Sequence, residues 1–331
     1  LLNIFASWCI PCKAEAPQSH QVGMNSPRPA RIAVGPLGSP RWAFDAVVAG
    51  GCEVVDIADA NGLIWVDYQQ SGALGEVLSK HPNIEWVQLP YAGIEDYLPY
   101  ISDDRLWTSA KGGVYSGPVA ELAIALLLGG MRYTYGYARK KQWSEDAGRT
   151  IIGSRVTVLG GGGIAQMIID ILQPFDCHIT VVRRHIQPMR GVATVVDSEH
   201  LVDALTDADA VVMAMALTEE TTAMIGRAEL EAMSPHAWIV NVGRGKHIDT
   251  NALVWALENN VIGGAALDVT DPEPLPPGHP LWSFDNCVIT PHVGNTDEMA
   301  PALLGQRITA NVKLFAAGQP LLGVVDPTLG Y

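Results

Sequence analysis

Three side chains of reactive type follow three short apolar runs in the second half of the chain. Arg244 follows AWIVNVG, Glu273 follows GAALDV by a short Pro-rich turn, and His292 closes CVITPH. A guanidinium supplies a fork that fits a carboxylate, and a carboxylate beside an imidazole makes an acid–base pair. Singly, each has an ordinary structural place: a surface arginine, a loop glutamate, a histidine satisfied in the core. If the runs are parallel strands, however, all three residues lie just past carboxyl ends, where an open α/β sheet presents its ligand crevice. Together they describe a site that grips a carboxylate and moves a proton beside it.

A fourth signal is RVTVLGGGGIAQMIIDIL, in which a strand runs into Gly160-x-Gly162-x-x-Ala165 and then into a helix. Gly160 permits the tight turn, Gly162 lets backbone approach a pyrophosphate, and a small residue at Ala165 lets helix pack on strand. A ligand-free glycine-rich connection would carry the same letters, but a strand before and a helix after favour the dinucleotide turn. About 20 residues on, NAD-binding folds place an acid on the ribose hydroxyls. Here HITVV ends in Arg183 and Arg184. Two guanidinium groups suit a 2′-phosphate, so NADP(H) is expected, with NAD(H) as the alternative and a merely solvated strand end as the bland one.

Positioning these residues requires alternating elements, and the chain supplies them. From Arg31, short β-branched runs (RIAVGP, CEVVDIAD, IEWVQLP, RVTVLG, HITVVRR, DAVVMAM, AWIVNVG, GAALDV, CVITPH) alternate with amphipathic ones. This predicts an α/β fold of βαβ units with parallel sheets. Residues 114–143 read as a helical link between two such units, ending in a basic, exposed stretch. NTDEMAPALLGQRITANVKLFAAGQP reads as a helix long enough to cross back to the first unit.

At 331 residues and 48% hydrophobic, the chain can build two domains. A formal net charge of −14 repels nucleic acid and anionic membrane surfaces. The longest apolar runs, such as 120–131, are too short to span a bilayer, and the reading is a cytoplasmic protein with no metal site. Cys52, Cys177 and Cys287 are isolated and expected to be buried free thiols. Cys9 and Cys12, in LLNIFASWCIPCKAEAP, are different: residues 1–17 resemble the strand, Cys-x-x-Cys turn and helix start of thioredoxin-like proteins. That match stops at residues 18–23, and Met24 looks like a fresh start, so residues 1–23 are read as an appendage.

NVGRG, LDVTDPEPLP and ITPHVGNT, in that order and spacing, resemble the signatures of the D-isomer-specific 2-hydroxyacid dehydrogenases, and the resemblance runs over residues 31–331. It implies two Rossmann- or flavodoxin-like domains with the active-site cleft between them. Residues 24–119 and 298–331 would form the substrate domain and 120–297 the dinucleotide domain, through which such enzymes usually dimerise. Arg244, Glu273 and His292 match the family's catalytic positions, and Ala92, Gly93 and Ile94 match the loop whose N–H groups meet a carboxylate. The implied activity is reduction of a 2-oxo acid to the D-2-hydroxy acid, with His292 as proton donor and Glu273 stabilising its imidazolium. A small acid of the glyoxylate or hydroxypyruvate kind is expected, because Glu95 and Asp96 beside the loop disfavour a phosphorylated one. A phosphoglycerate dehydrogenase-like enzyme and a dinucleotide-binding corepressor without turnover are the alternatives, the latter disfavoured by the lack of an evident tail after the last helix. The family's cofactor loop usually has Pro where this chain has Ala216, and its ribose-binding acid is replaced by Arg183.

Overall fold

The computed structural model describes residues 29–67 and 71–326, so Cys9, Cys12 and the thioredoxin-like stretch lie outside the described residues. The first β-branched runs form β1 (Arg31–Gly35), β2 (Glu53–Val54), β3 (Gly62–Trp65), β4 (Trp86–Gln88) and β5 (Leu106–Thr108). They pair in parallel in the order β2-β1-β3-β4-β5, which is flavodoxin-like. The later runs form β6 (Arg155–Leu159), β7 (His178–Val182), β8 (Thr194–Val196), β9 (Ala210–Met213), β10 (Trp238–Asn241), β11 (Gly264–Leu267) and β12 (Cys287–Ile289). Their order, β12-β11-β10-β9-β6-β7-β8, reverses direction between β6 and β9, the arrangement of a Rossmann sheet.

Helices α1 (Arg41–Ala49) and α2 (Ser71–Lys80) serve the first sheet. Those of the second part are α3 (Ser116–Met131), α4 (Thr134–Arg139), α5 (Gly163–Leu172), α6 (Leu201–Leu205), α7 (Arg227–Ala232) and α8 (Thr250–Glu258), with α9 (Ala300–Ala316) last in the chain. Strands of the second sheet are apolar on both faces because helices cover both. Val156, Val158, Val181, Val212 and Val240 pack into one core, while Leu159, Val211, Met213, Ile239 and Leu267, one step out of phase, fill the other.

Residues 114–143 do not form one helix. The segment breaks at Tyr133, whose φ of 57° is left-handed, and α4 folds back so that the Tyr135 ring lies against Gly129. A Cβ on Gly129 would stand 2.3 Å from that ring and one on Gly130 would stand 2.2 Å from Trp238, so the two glycines make the turn-back and the seat on β10 sterically feasible.

Helix α9 begins at Ala300, with Pro301 in the first turn where its missing N–H costs nothing. Leu304, Ile308, Val312 and Phe315 recur at helical spacing and are buried, packing α9 on α1 and on Trp86. Each fully buried aliphatic side chain there contributes about 1.5–3 kcal/mol. Asn311 donates 2.8 Å to Gln88 Oε1, which also accepts from Thr108 Oγ1, so the returning helix is keyed into the first sheet by a buried polar network. Arg307 donates to the carbonyls of Ser109 (3.1 Å) and Lys111 (2.9 Å), clamping the chain where it leaves that sheet.

Of the three cysteines within the described residues, only Cys287 is buried. Cys52 and Cys177 lie at element ends and are half-buried, which corrects the expectation of three buried thiols. Burial pushes the Cys177 thiol up to about 11 and Cys287 up to about 12, so neither is a thiolate near neutral pH. No helix among the described residues is long and apolar enough to cross a membrane. No cluster of His, Cys, Asp and Glu among them could hold a metal ion.

Candidate active site

The glycine turn after β6 has the backbone its sequence requires. Gly160 sits at φ 114°, and a Cβ there would fall 2.6 Å from the Ala214 carbonyl oxygen, so the position admits only glycine. Gly162 caps α5 and has no described atom within 4 Å of where its Cβ would be, leaving the helix N-terminus open to a phosphate group. Ala165 is fully buried where α5 meets the sheet. Arg183 folds over this turn: a Cβ on Gly161 would be 2.7 Å from its Nε. Arg184 is drawn away to Glu220 at 2.9 Å, so the two guanidinium groups expected at a 2′-phosphate are not equivalent. Arg183 alone stands beside the turn, without a carboxylate partner among the described residues.

Across the cleft edge, His292 Nδ1 lies 2.6 Å from Glu273 Oε1. Burial raises the Glu273 carboxyl, but the hydrogen bond and charge of His292, the Thr270 N–H and Arg244 outweigh it and hold the group below its ordinary value. His292 itself is half-exposed and sits at φ 53°. Such backbone costs of order 1–3 kcal/mol and persists only where surroundings fix it. They do: His292 N–H donates 2.8 Å to the Asp268 carbonyl, and the buried Asp268 carboxylate accepts from Thr290 Oγ1, Val293 N and Gly294 N at 2.6, 2.9 and 2.9 Å.

Arg244 extends from the end of β10 to the loop after β4. Its Nη2 comes so close to Gly93 that a Cβ there would stand 1.7 Å away. Its Nη1 donates 2.8 Å to the Gly243 carbonyl, while Nε and Nη2 meet the Glu95 carboxylate at 3.2 and 3.3 Å. Two of its five guanidinium N–H groups thus make hydrogen bonds within the chain, and the others have no hydrogen-bond acceptor among the described residues. No acceptor among the described residues meets the backbone N–H groups of Ala92, Gly93 or Ile94. The structure therefore brings Arg244 together with the 92–94 loop, and His292 with Glu273, on strand ends of the second sheet that also carries the glycine turn.

Three participants were not singled out from the sequence as parts of this site. Asp268 carries a legible signal, a carboxylate inside the otherwise apolar run GAALDV. In the sequence Glu95 does no more than disfavour a phosphate, and its pairing with Arg244, 149 positions away, has no local signature. His247 is fully buried and touches both Arg244 and Ala216, again across the fold.

A cavity of about 610 Å³ lies elsewhere, at the amino ends of β10, β11 and β12, lined by Met131, Tyr133, Tyr135, Trp238, Leu257 and Phe284 among others.

Residues 122–294 match the model of the NAD binding domain of D-isomer specific 2-hydroxyacid dehydrogenases. The chain is 36% identical to an uncharacterized protein encoded 3′ of proB in Corynebacterium melassecola, covering 86% of this chain and 95% of that one. It is 30% identical to hydroxyphenylpyruvate reductase of Plectranthus scutellarioides over 78% of this chain and 83% of the other. Other curated relatives of similar identity are glyoxylate and glyoxylate/hydroxypyruvate reductases. Among solved structures, a D-isomer specific 2-hydroxyacid dehydrogenase from Xanthobacter autotrophicus Py2, in complex with NADPH and MES, superposes with a TM-score of 0.79 at 26% identity, covering 91% of this chain and 99% of that one. With its two parallel sheets, its glycine turn and these relatives, the chain belongs to the D-isomer specific 2-hydroxyacid dehydrogenases, NAD(P)-dependent oxidoreductases of 2-oxo and 2-hydroxy acids.

Proposed function

We propose that this protein reduces a small 2-oxo acid of the glyoxylate or hydroxypyruvate kind to the D-2-hydroxy acid, with NADPH preferred over NADH. The observation that carries the reading is the juxtaposition of Arg244 with the unpartnered N–H groups of the 92–94 loop, on the same sheet that presents the His292–Glu273 pair. Residues 24–119 with 298–331 bind the acid, and residues 120–297 bind the dinucleotide. The open helix end at Gly162 and the guanidinium of Arg183 fit a pyrophosphate and a 2′-phosphate respectively. When bound, the dinucleotide supplies the hydride that reduces the carbonyl carbon.

The chain's own residues do the rest. Ala92, Gly93 and Ile94 donate to the substrate carboxylate, together with guanidinium N–H groups of Arg244 that the chain leaves unused. Glu95 holds the guanidinium fork in plane by a two-point contact, so it meets the substrate without first being ordered. Glu273 accepts from His292 Nδ1–H, which fixes the ring and leaves Nε2 to give a proton to the substrate oxygen as negative charge develops there. The enzyme acts as a homodimer joined through the dinucleotide domain.

Steady-state kcat/KM with glyoxylate, hydroxypyruvate, its 3-phosphate, hydroxyphenylpyruvate and a branched 2-oxo acid, each with NADPH and NADH, tests the reading. A lead for one of the first two with NADPH is expected. A lead for any of the other three acids, or for NADH, would overturn the corresponding half.

A further inference from the structure

We infer that His247 is a positioning residue that braces the carboxylate grip and the dinucleotide side of the cleft independently, one ring nitrogen serving each. This deepens the proposed function and rests on it for the identity of the two ligands.

His247 is fully buried behind the site, its ring packed so closely on Gly243 that a Cβ there would stand 3.0 Å from Cε1. Nδ1 accepts from the backbone N–H of Arg244 at 3.2 Å. Nε2 lies 3.3 Å from the carbonyl oxygen of Ala216, in the loop that follows β9. A backbone N–H needs an acceptor and a carbonyl needs a donor, so a neutral imidazole can satisfy both in one tautomer only, with its proton on Nε2. Burial pushes His247 down to about 4, with the Arg244 charge acting the same way, which keeps the ring neutral under ordinary conditions.

What the ring joins matters more than the ring. On one side is the residue whose guanidinium lies on Gly93. On the other is the 214–225 loop, whose Ala214 oxygen and Met215 Cα face Gly160 of the glycine turn, so the loop lies on the dinucleotide side. This loop leans on the turn after β10 throughout: Ala223 N donates to Lys246 O at 2.8 Å and Ile225 N to His247 O at 3.0 Å. The Ala216 carbonyl also accepts from Thr221 Oγ1 at 2.9 Å, so its direction is fixed from within the loop and from His247. At Ala216, where no proline stiffens the backbone, His247 provides the restraint.

Three substitutions separate the two bonds. His247→Asn places an amide oxygen near Nδ1 and keeps the Arg244 contact, but it is too short to reach Ala216. His247→Gln places an amide N–H near Nε2 and keeps the Ala216 contact while giving up the other. His247→Leu loses both. Loss of one buried hydrogen bond corresponds to about tenfold in an equilibrium constant. In the Asn variant the NADPH dissociation constant, read by nucleotide fluorescence, is expected to rise about tenfold with the 2-oxo acid KM within about twofold. The Gln variant should show the converse, and Leu both effects. Imidazole nitrogen NMR of the parent should show a protonated Nε2 and a bare Nδ1 from mildly acidic to mildly alkaline pH.

Parental binding constants in all three variants, a joint rise of both constants in Asn and Gln alike, or a proton on Nδ1 would each overturn the inference. If the parent turned over no 2-oxo acid, the proposed activity would fall. The NADPH titration of the Asn variant and the tautomer measurement would still decide the role of His247.

Discussion

At the scale of single residues, His292 and Arg244 divide the work on one substrate, and their variants should separate accordingly. Replacing a general acid costs about 10²–10⁴-fold, so His292→Ala should lose about a thousandfold in kcat while the NADPH dissociation constant stays within about twofold; near-parental turnover would show that the ring does not serve the substrate oxygen. Arg244→Ala should damage KM and kcat together, and Arg244→Lys should not restore them, since an ammonium cannot replace a fork held in plane by Glu95. At the dinucleotide, Arg183→Asp should swing kcat/KM toward NADH, because Arg183 lies on the glycine turn whereas Arg184 is engaged by Glu220. His247 adds a pH signature. An unfolded histidine titrates at its ordinary 6.5 and this one only at about 4, so between those values the unfolded chain binds more protons and stability falls as pH falls. The contribution amounts to about 3 kcal/mol across the window. His247→Gln should flatten the decline in melting temperature between about pH 6.5 and about pH 4, whereas an unchanged slope would place the titration elsewhere.

Among these residues, legibility tracked how local the partnership is. Arg244, Glu273 and His292 stand out because each follows a recognisable strand within a few residues, so type and place could be read together. Glu95 and His247 do not, since a pairing over 149 positions, or an imidazole turned inward from an exposed-looking GRGKHID, is decided only when the two sheets meet.

At the scale of elements, the strands and the glycine turn were readable because β-branched runs buried on both faces leave little freedom, and a turn needing φ 114° leaves none. Gly160→Ala should therefore cost about 1–3 kcal/mol in urea unfolding and abolish NADPH binding, because its methyl would push into the Ala214 carbonyl. A stable variant with parental affinity would mean the turn has another backbone in solution. The helical segment at 114–143 was less readable. Its composition supports one continuous helix, and what breaks it is tertiary: Tyr135 and Trp238 claim the space over Gly129 and Gly130. Periodicity registers the apolar face of a helix but not the ring that will lie on a glycine.

At the scale of the whole molecule, the same turn-back bears on assembly. Trp143 is fully exposed, with Ile152 and Tyr133 also open to solvent, and the same dinucleotide-side unit carries the 610 Å³ cavity lined by Tyr133, Tyr135, Trp238 and Phe284. A lone exposed apolar side chain needs no explanation, but a fully exposed tryptophan on a chain that also carries an unfilled aromatic-lined hollow does. In a two-fold dimer each copy presents the same patch to the other, so one tryptophan and one hollow per chain become two complementary contacts. Burying a tryptophan removes about 150–250 Å² from water, worth about 4–6 kcal/mol at the usual coefficient before ordering costs. Light scattering should therefore give the parent twice the mass of the 35.4 kDa chain, and Trp143→Ala should shift it toward the monomer. Because Trp143 makes no contribution to the fold of its own chain at full exposure, the variant's melting temperature should fall only as far as dilution lowers that of the parent. A parent that is monomeric at high concentration, or a variant that dimerises as tightly as the parent, would show that this face is not where two copies meet.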